Sequence, residues 1–375
     1  MDRGRDADVC PGALQTHRAA DGELARIRLP GGRISAGQLD LVARVASDFG
    51  SAAIELTSRG NLQIRRLRDT ARVAELLADA GLLPSPSHER VRNIVASPLS
   101  GRSGGRYDVR GLVDALDLAV RQDPQLSRLP GRFLFGIDDG RGDISGLGAD
   151  VGIHALDGSS LALLLAGVDS GVRLTVDEAI SGLVAVARRF TRLRGKCWRV
   201  SELDEPLTLL GALTPARRGG GTWPPSVGAP VGWIEQDDGH VTLGAAVRLG
   251  VLDAETARYL AAVNAPMAIT PSRSILLFDL DEHTADMAVR VLAPRGLVFD
   301  QNSPWLSLSA CTGSPGCERS AVDVRADAAA AVNDPASPPG THRHFVGCER
   351  ACGRPAHGQV MVATPEGYRS LSSHP

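Results

Sequence analysis

The chain has 375 residues, a formal net charge of −2 and a pI near 6.5. That is too long for one compact core, and too near neutral for long-range attraction to nucleic acid or an anionic membrane. No uninterrupted apolar run of about eighteen residues occurs, and the charged opening Met1–Asp8 lacks the apolar stretch of a secretory leader, so a cytoplasmic protein is expected.

Hydrophobic periodicity predicts a β-α-β-β-α-β order in the first hundred residues. Glu23–Leu29 alternates like a strand and stops at Pro30-Gly31-Gly32. Ser35 is placed to cap a helix with Leu39, Val42, Ala43 and Ala46 on one face, ending at Gly50. Ala52–Thr57 and Leu62–Leu67 read as strands joined through Arg59-Gly60-Asn61. Asp69 then opens a helix with Val73, Leu76, Leu77 and Ala80 inward, and Val91–Ala96 returns as a strand. Further on, Gly146-Leu-Gly-Ala-Asp-Val-Gly152 has the wrong spacing for a dinucleotide loop and precedes an alternating segment, so it reads as a tight turn. With no nicotinamide, flavin or Walker sequence evident, electrons are expected from outside the chain. Cys197 beside Trp198 reads as a buried core thiol, and Arg217–Pro230 as a linker by composition.

The first order of elements then recurs between about 230 and 313. Gly232–Glu235 and Val241–Leu243 supply strands, Asp253 caps a helix carrying Ala257, Leu260 and Val263, Met267–Thr270 and Ser274–Leu280 are strands, and Asp281–Leu292 is a helix. Leu56-Thr-Ser-Arg-Gly-Asn-Leu-Gln-Ile64 matches Ile269-Thr-Pro-Ser-Arg-Ser-Ile-Leu-Leu277, and Ser97 falls opposite Cys311. A duplication of this kind predicts two pseudo-twofold lobes with a ligand at their interface.

Four cysteines follow: Cys311 and Cys317 with five residues between, then Cys348 and Cys352 with three. Soft thiolates suit an iron–sulfur cluster, and the surrounding glycines and prolines let two loops bend around a bulky cofactor. A structural zinc site is the main alternative, although zinc pairs usually span two to four residues. In a reducing cytosol disulfides rank below both. A single lysine, Lys196, stands among 41 basic residues, so composition alone makes any one arginine weak evidence of anion binding.

These residues resemble the nitrite and sulfite reductase superfamily and, within it, the precorrin-3B synthases. The similarity lies in Cys10-Pro-Gly-Ala-Leu14, Ala20–Gly32, Leu129-Pro-Gly-Arg-Phe-Leu-Phe-Gly-Ile-Asp-Asp-Gly140, Ile144–Asp150 and the cysteine spacing, and it runs essentially end to end. The resemblance implies an α+β fold of two ferredoxin-like half-domains (16–88 and 231–298), a tetrapyrrole-binding domain without cluster ligands (89–215), a linker (216–230) and a [4Fe–4S] cluster-binding domain (299–375). It implies oxygen-dependent hydroxylation of precorrin-3A to precorrin-3B, at C20 with lactone formation by the ring A acetate, in aerobic cobalamin biosynthesis. The partners would be precorrin-3A, O2 and a ferredoxin or NAD(P)H-dependent reductase, with no nucleic acid and no membrane.

Substrate carboxylates would be bound by Arg59, Arg92 and Arg132, and the cluster by Cys311, Cys317, Cys348 and Cys352. Leu134 stands where sirohaem enzymes carry the second of two lysines, so sirohaem is not expected. A mononuclear non-haem iron besides the cluster is also implied. His154, His240, His342, His344 and His357 are candidates, but no two have facial-triad spacing and no catalytic residue is singled out. A sirohaem-dependent assimilatory nitrite or sulfite reductase is the alternative activity. A non-catalytic protein braced by a metal is a third reading.

Overall fold

The structure is a computed structural model that describes residues 8–224, 228–333, 341–355 and 358–371. The first half opens with the hairpin β1 (His17–Ala19) and β2 (Gly22–Ile27), then β3 (Arg33–Ile34) and α1 (Ala36–Phe49). Ser35 caps α1 through a full capping box with Gln38, satisfying two amide donors that a helix start otherwise leaves open. β4 (Ala53–Leu56), β5 (Leu62–Leu67) and α2 (Thr70–Asp79) follow, with Asp69 accepting from the Arg72 amide as the cap.

The strand expected over Val91–Ala96 shortens to β6 (Ile94–Ala96) and leaves the first half altogether. It pairs in parallel with β7 (Phe135–Asp138), reached through α3 (Arg110–Gln122). β7 pairs in parallel with β8 (Val151–Ala155), and β9 (Ser160–Leu165) and β10 (Val168–Thr175) extend the sheet antiparallel. α4 (Val176–Leu193), capped by Thr175 and Glu178, packs on this sheet through Leu183, Val186, Ala187 and Phe190.

The second half supplies β11 (Gly232–Glu235), β12 (Val241–Ala246), β13 (Val251–Asp253), α5 (Ala254–Ala262), β14 (Met267–Ile269), β15 (Ser274–Leu280) and α6 (Glu282–Leu292). The two ferredoxin-like sheets exchange strands. The first runs β1-β2-β5-β4-β13, the second β11-β12-β15-β14-β3, so each ends on a strand from the other half. One core results, holding Leu39, Ile54 and Ile64 together with Leu260, Ile275 and Leu277, and α1 packs on α5 across the pseudo-twofold.

The C-terminal part contains β16 (Leu308–Ala310), α7 (Val324–Ala330), β17 (Arg343–Val346), β18 (Gln359–Thr364) and β19 (Gly367–Leu371). Here β16, β17 and β18 are parallel and β19 antiparallel, which repeats the plan of β6, β7, β8 and β9. The duplication thus covers all four sheets. Part of the glycine-rich segment expected as a linker is tied down: Thr222 bridges Val168, and Trp223 stacks on His154 with ring centroids 4.2 Å apart. Cys197 is half-buried, not a core thiol; its thiol donates to the Glu202 carbonyl at 3.3 Å. No helix among the described residues is long and apolar enough to cross a membrane.

Candidate metal centre and anion pocket

Parallel neighbours end at the same edge of a sheet, and that edge is where α/β folds place ligands. β16 and β17 therefore bring Cys311 and Cys348 to one edge, and the Cys311 amide donates to the Phe345 carbonyl at 2.9 Å. Cys317 comes in on the loop after β16 and Cys352 on the turn after β17, where the Ala351 amide closes onto the Cys348 carbonyl at 3.1 Å. All four are free thiols. Partial desolvation, then the nearness of Cys311 and Cys348, push the Cys352 thiol up, with Cys317 adding to it. The four are one group.

No three of their sulfurs lie within 4.8 Å of one another. A tetrahedral zinc site, with Zn–S near 2.3 Å, draws its sulfurs to about 3.8 Å. The all-thiolate donor set and the five-residue loop between Cys311 and Cys317 fit a multi-iron cluster. The first half reaches this site directly: Arg65, paired bidentately with Asp21, donates to the Gly316 carbonyl at 2.6 Å, next to Cys317. Arg325 crosses in the other direction to Glu55 at 2.6 Å.

On β2, Ala25 and Ile27 enter the shared core, so the alternation of a strand turns Arg26 and Arg28 to the opposite face. Arg26 donates through Nε to Gln63 at 2.7 Å. Arg28 is 2% exposed; its Nη2 meets the Arg90 carbonyl while Nε and Nη1 have no partner. Burial first, then repulsion from Arg26, hold Arg28 well below the usual guanidinium range. Arg59, in the β4–β5 turn, is pushed down to about 10 by burial and then by Arg199 and Arg26. Arg132 is exposed, 5.7 Å from the Trp198 ring centroid, and its charge reaches Arg26. Arg199 is held by Asp150 at 2.7 Å. Like charges buried together are costly, and a polycarboxylate would relieve them.

Arg59 and Arg132 thus meet in one patch, joined by Arg26, Arg28 and Arg199, which the sequence reading did not name. The Arg-Ile-Arg alternation in Arg26–Arg28 was the available signal. Arg92 is instead engaged within the fold. It is 5% exposed, and its Nε and Nη2 take both oxygens of Asp117 at 2.6 and 3.2 Å. With Arg28, Arg33 and Arg102 it lines a cavity of about 580 Å³ between the first half, α3 and the start of β14. Leu134 is buried against Val95, Ile144 and Ala149.

The first copy of the metal edge is closed by its own side chains. Ser97, the counterpart of Cys311, donates to Asp143 at 2.5 Å, and the Asp139 amide donates back to Ser97 at 3.1 Å. Against the effect of burial, His154 and the amides of Gly142, Ser145 and Ile144 hold Asp138 well below the carboxylate range. Burial pushes Asp143 up to about 7, with Asp138 adding to it against the Ser97 hydrogen bond. Among the histidine candidates, His154 is bound to Ser145 at 2.9 Å, His240 is exposed, and His342 and His344 share Ser309. His357 lies outside the described residues.

Residues 17–80 match the nitrite/sulfite reductase ferredoxin-like half domain. A precorrin-3B synthase from Sinorhizobium sp is 26% identical over 96% of this chain and 81% of its own length. A ferredoxin–nitrite reductase from Synechococcus elongatus is 36% identical over 32% of this chain and 25% of its own. The structure of the Mycobacterium tuberculosis NirA protein superposes with a TM-score of 0.73 at 18% identity, covering 94% of this chain and 77% of that one. The fold is the α+β nitrite/sulfite reductase-like fold, and the resemblance of the sequence to that superfamily holds.

Proposed function

We propose that the chain is an oxidoreductase that hydroxylates precorrin-3A to precorrin-3B with molecular oxygen, the hydroxyl entering at C20 and the ring A acetate closing to a lactone. The end-to-end similarity to a precorrin-3B synthase carries this reading. The arginine patch of the first half supports it, because a precorrin presents many acetate and propionate groups and guanidinium forks bind carboxylates bidentately.

In this reading Arg26, Arg28, Arg59, Arg132 and Arg199 hold the macrocycle, and Leu134, packed against Val95, Ile144 and Ala149, offers it no charge. Cys311, Cys317, Cys348 and Cys352 would hold a [4Fe–4S] cluster, which when bound supplies electrons one at a time from an external ferredoxin or reductase. One oxygen atom enters the product and the other leaves as water, consuming two electrons and two protons. The protein's own contribution is to orient the macrocycle and neutralise its carboxylates. A mononuclear iron remains part of the proposal, with no ligand assigned to it. The same reading divides the chain at 16–88, 89–215, 216–230, 231–298 and 299–375, each half-domain completed by the strand it receives from the other.

A sirohaem-dependent nitrite or sulfite reductase is the second reading, favoured by the partial match to ferredoxin–nitrite reductase. Anaerobic purification, with iron, sulfide and extractable tetrapyrrole quantified on one sample, separates the two. Four iron and four sulfide without sirohaem, and turnover of precorrin-3A with O2, are expected; one-to-one sirohaem would instead support the reductase.

A further inference from the structure

We propose that His344 is the positioning residue for the fourth cysteine of the metal site, holding Cys352 through its backbone carbonyl and itself oriented by Ser309. This rests on the cluster reading above. The parallel register of β16 and β17 places Ser309 opposite His344. Ser309 Oγ lies 2.8 Å from His344 Nδ1 and 2.7 Å from His342 Nε2. His344 is fully buried, and its Nε2 lies 3.0 Å from the Cys352 carbonyl oxygen. A carbonyl only accepts, so Nε2 carries the proton and Nδ1 is the bare nitrogen, which accepts from the Ser309 hydroxyl. One tautomer and one ring orientation satisfy both contacts.

The turn needs such an anchor. Ala351 has φ +46° and Gly353 φ +79°, so the backbone enters the left-handed region on both sides of Cys352, and at Ala351 without the freedom of glycine. Cys352 is also the exposed member of the four, whereas the other three are half-buried. Packing restrains it least. The His344 bond fixes the peptide that follows it, and Arg273 approaches the next carbonyl, Gly353, at 3.4 Å. Metal ligands commonly depend on partners of this kind, whose loss costs about 10- to 100-fold in metal retention.

The test uses the full chain purified anaerobically with its cluster. Iron release to a chelator and the EPR spectrum of the reduced cluster are recorded for His344→Leu, His344→Gln and Ser309→Ala. His344→Leu should release iron on the order of tenfold faster and alter the spectrum. His344→Gln, whose amide can still donate to the carbonyl, should recover most of the difference, and Ser309→Ala should fall between. Wild-type release and spectrum in His344→Leu would overturn the proposal, as would a His344→Gln variant no better than His344→Leu, since bulk alone would then explain the effect. Should His344→Leu not fold, Ser309→Ala decides the matter, wild-type release overturning the proposal. A wild-type chain without iron and sulfide would remove the cluster reading itself, an outcome distinct from wild-type-like behaviour in the variants.

Discussion

Arg59 and Arg92 carry the same guanidinium into opposite circumstances. Arg59 sits among like charges, and burial with Arg199 and Arg26 lowers its pKa to about 10. Its replacement by alanine should leave the thermal midpoint unchanged or raised, while weakening precorrin binding by roughly 1.5–3 kcal/mol, about ten- to a hundredfold. Lysine should recover part of that, since charge survives but the fork does not. Arg92 is already satisfied by Asp117, so Arg92→Ala should leave that carboxylate to Arg121 alone, at 3.0 Å, and cost roughly 1.5–3 kcal/mol of stability, measured by urea unfolding. Weaker binding without destabilisation would return Arg92 to the ligand pocket. Asp143 makes a prediction of its own. Its folded pKa, near 7, exceeds the unfolded value of about 3.9, so the folded chain keeps a proton that the unfolded chain releases. That contribution is complete below about pH 4 and lost as pH rises through 7. Asp143→Asn should therefore be more stable than wild type at pH 8, by on the order of 3 kcal/mol, with little difference at pH 4; equal stabilities at pH 8 would mean the carboxylate is charged there without penalty.

At the scale of elements, helices and strands were readable because their signals are local. Ser35, Asp69, Asp253 and Asp281 each accept from a backbone amide at the helix start that their position predicts. Sheet membership was not readable, because pairing partners lie far apart in the chain. β3 and β13 are two and three residues long, too short for a periodicity, and each crosses to the other half. The sign of the exchange lies in glycine. Gly32 ends the bend before β3 with φ +71°, and a β-carbon there would be driven into the Ile269 carbonyl of β14. Gly32→Ala is expected to destabilise the protein by on the order of 3 kcal/mol, through a strained φ and a backbone collision. Gly37, in the first turn of α1, has nothing within 4 Å of such a carbon, and alanine there should be neutral or stabilise by about 0.5–1 kcal/mol. Equal effects in chemical denaturation would show that β3 does not depend on that close approach.

Across the whole molecule, one plan has been used twice and then specialised. Both copies end parallel strands at an edge suited to a ligand; one edge carries four thiols, the other Ser97, Asp139 and Asp143 bound to one another. The spacing of the cysteines and the position of Ser97 could be read from the sequence, whereas the gathering of Arg26 and Arg28 with Arg59 and Arg199 needed the sheet. The asymmetry yields the last prediction. If one edge alone holds the cluster, iron and sulfide should each approach four per chain, and alanine at Cys311, Cys317, Cys348 or Cys352 should abolish the EPR signal of the reduced cluster. Cys10→Ala and Cys197→Ala should retain it, since Cys10 faces the arginine patch and Cys197 donates to Glu202 within its own loop. Ser97→Ala should retain it too, because the first edge is bound to its own carboxylate. The ferredoxin-like core contains none of the four ligands, so circular dichroism of the cysteine variants should keep the helical signal of α1, α2, α5 and α6. A full cluster in Cys348→Ala would remove that thiol from the site, and with it the argument that the ends of β16 and β17 were brought together to hold metal.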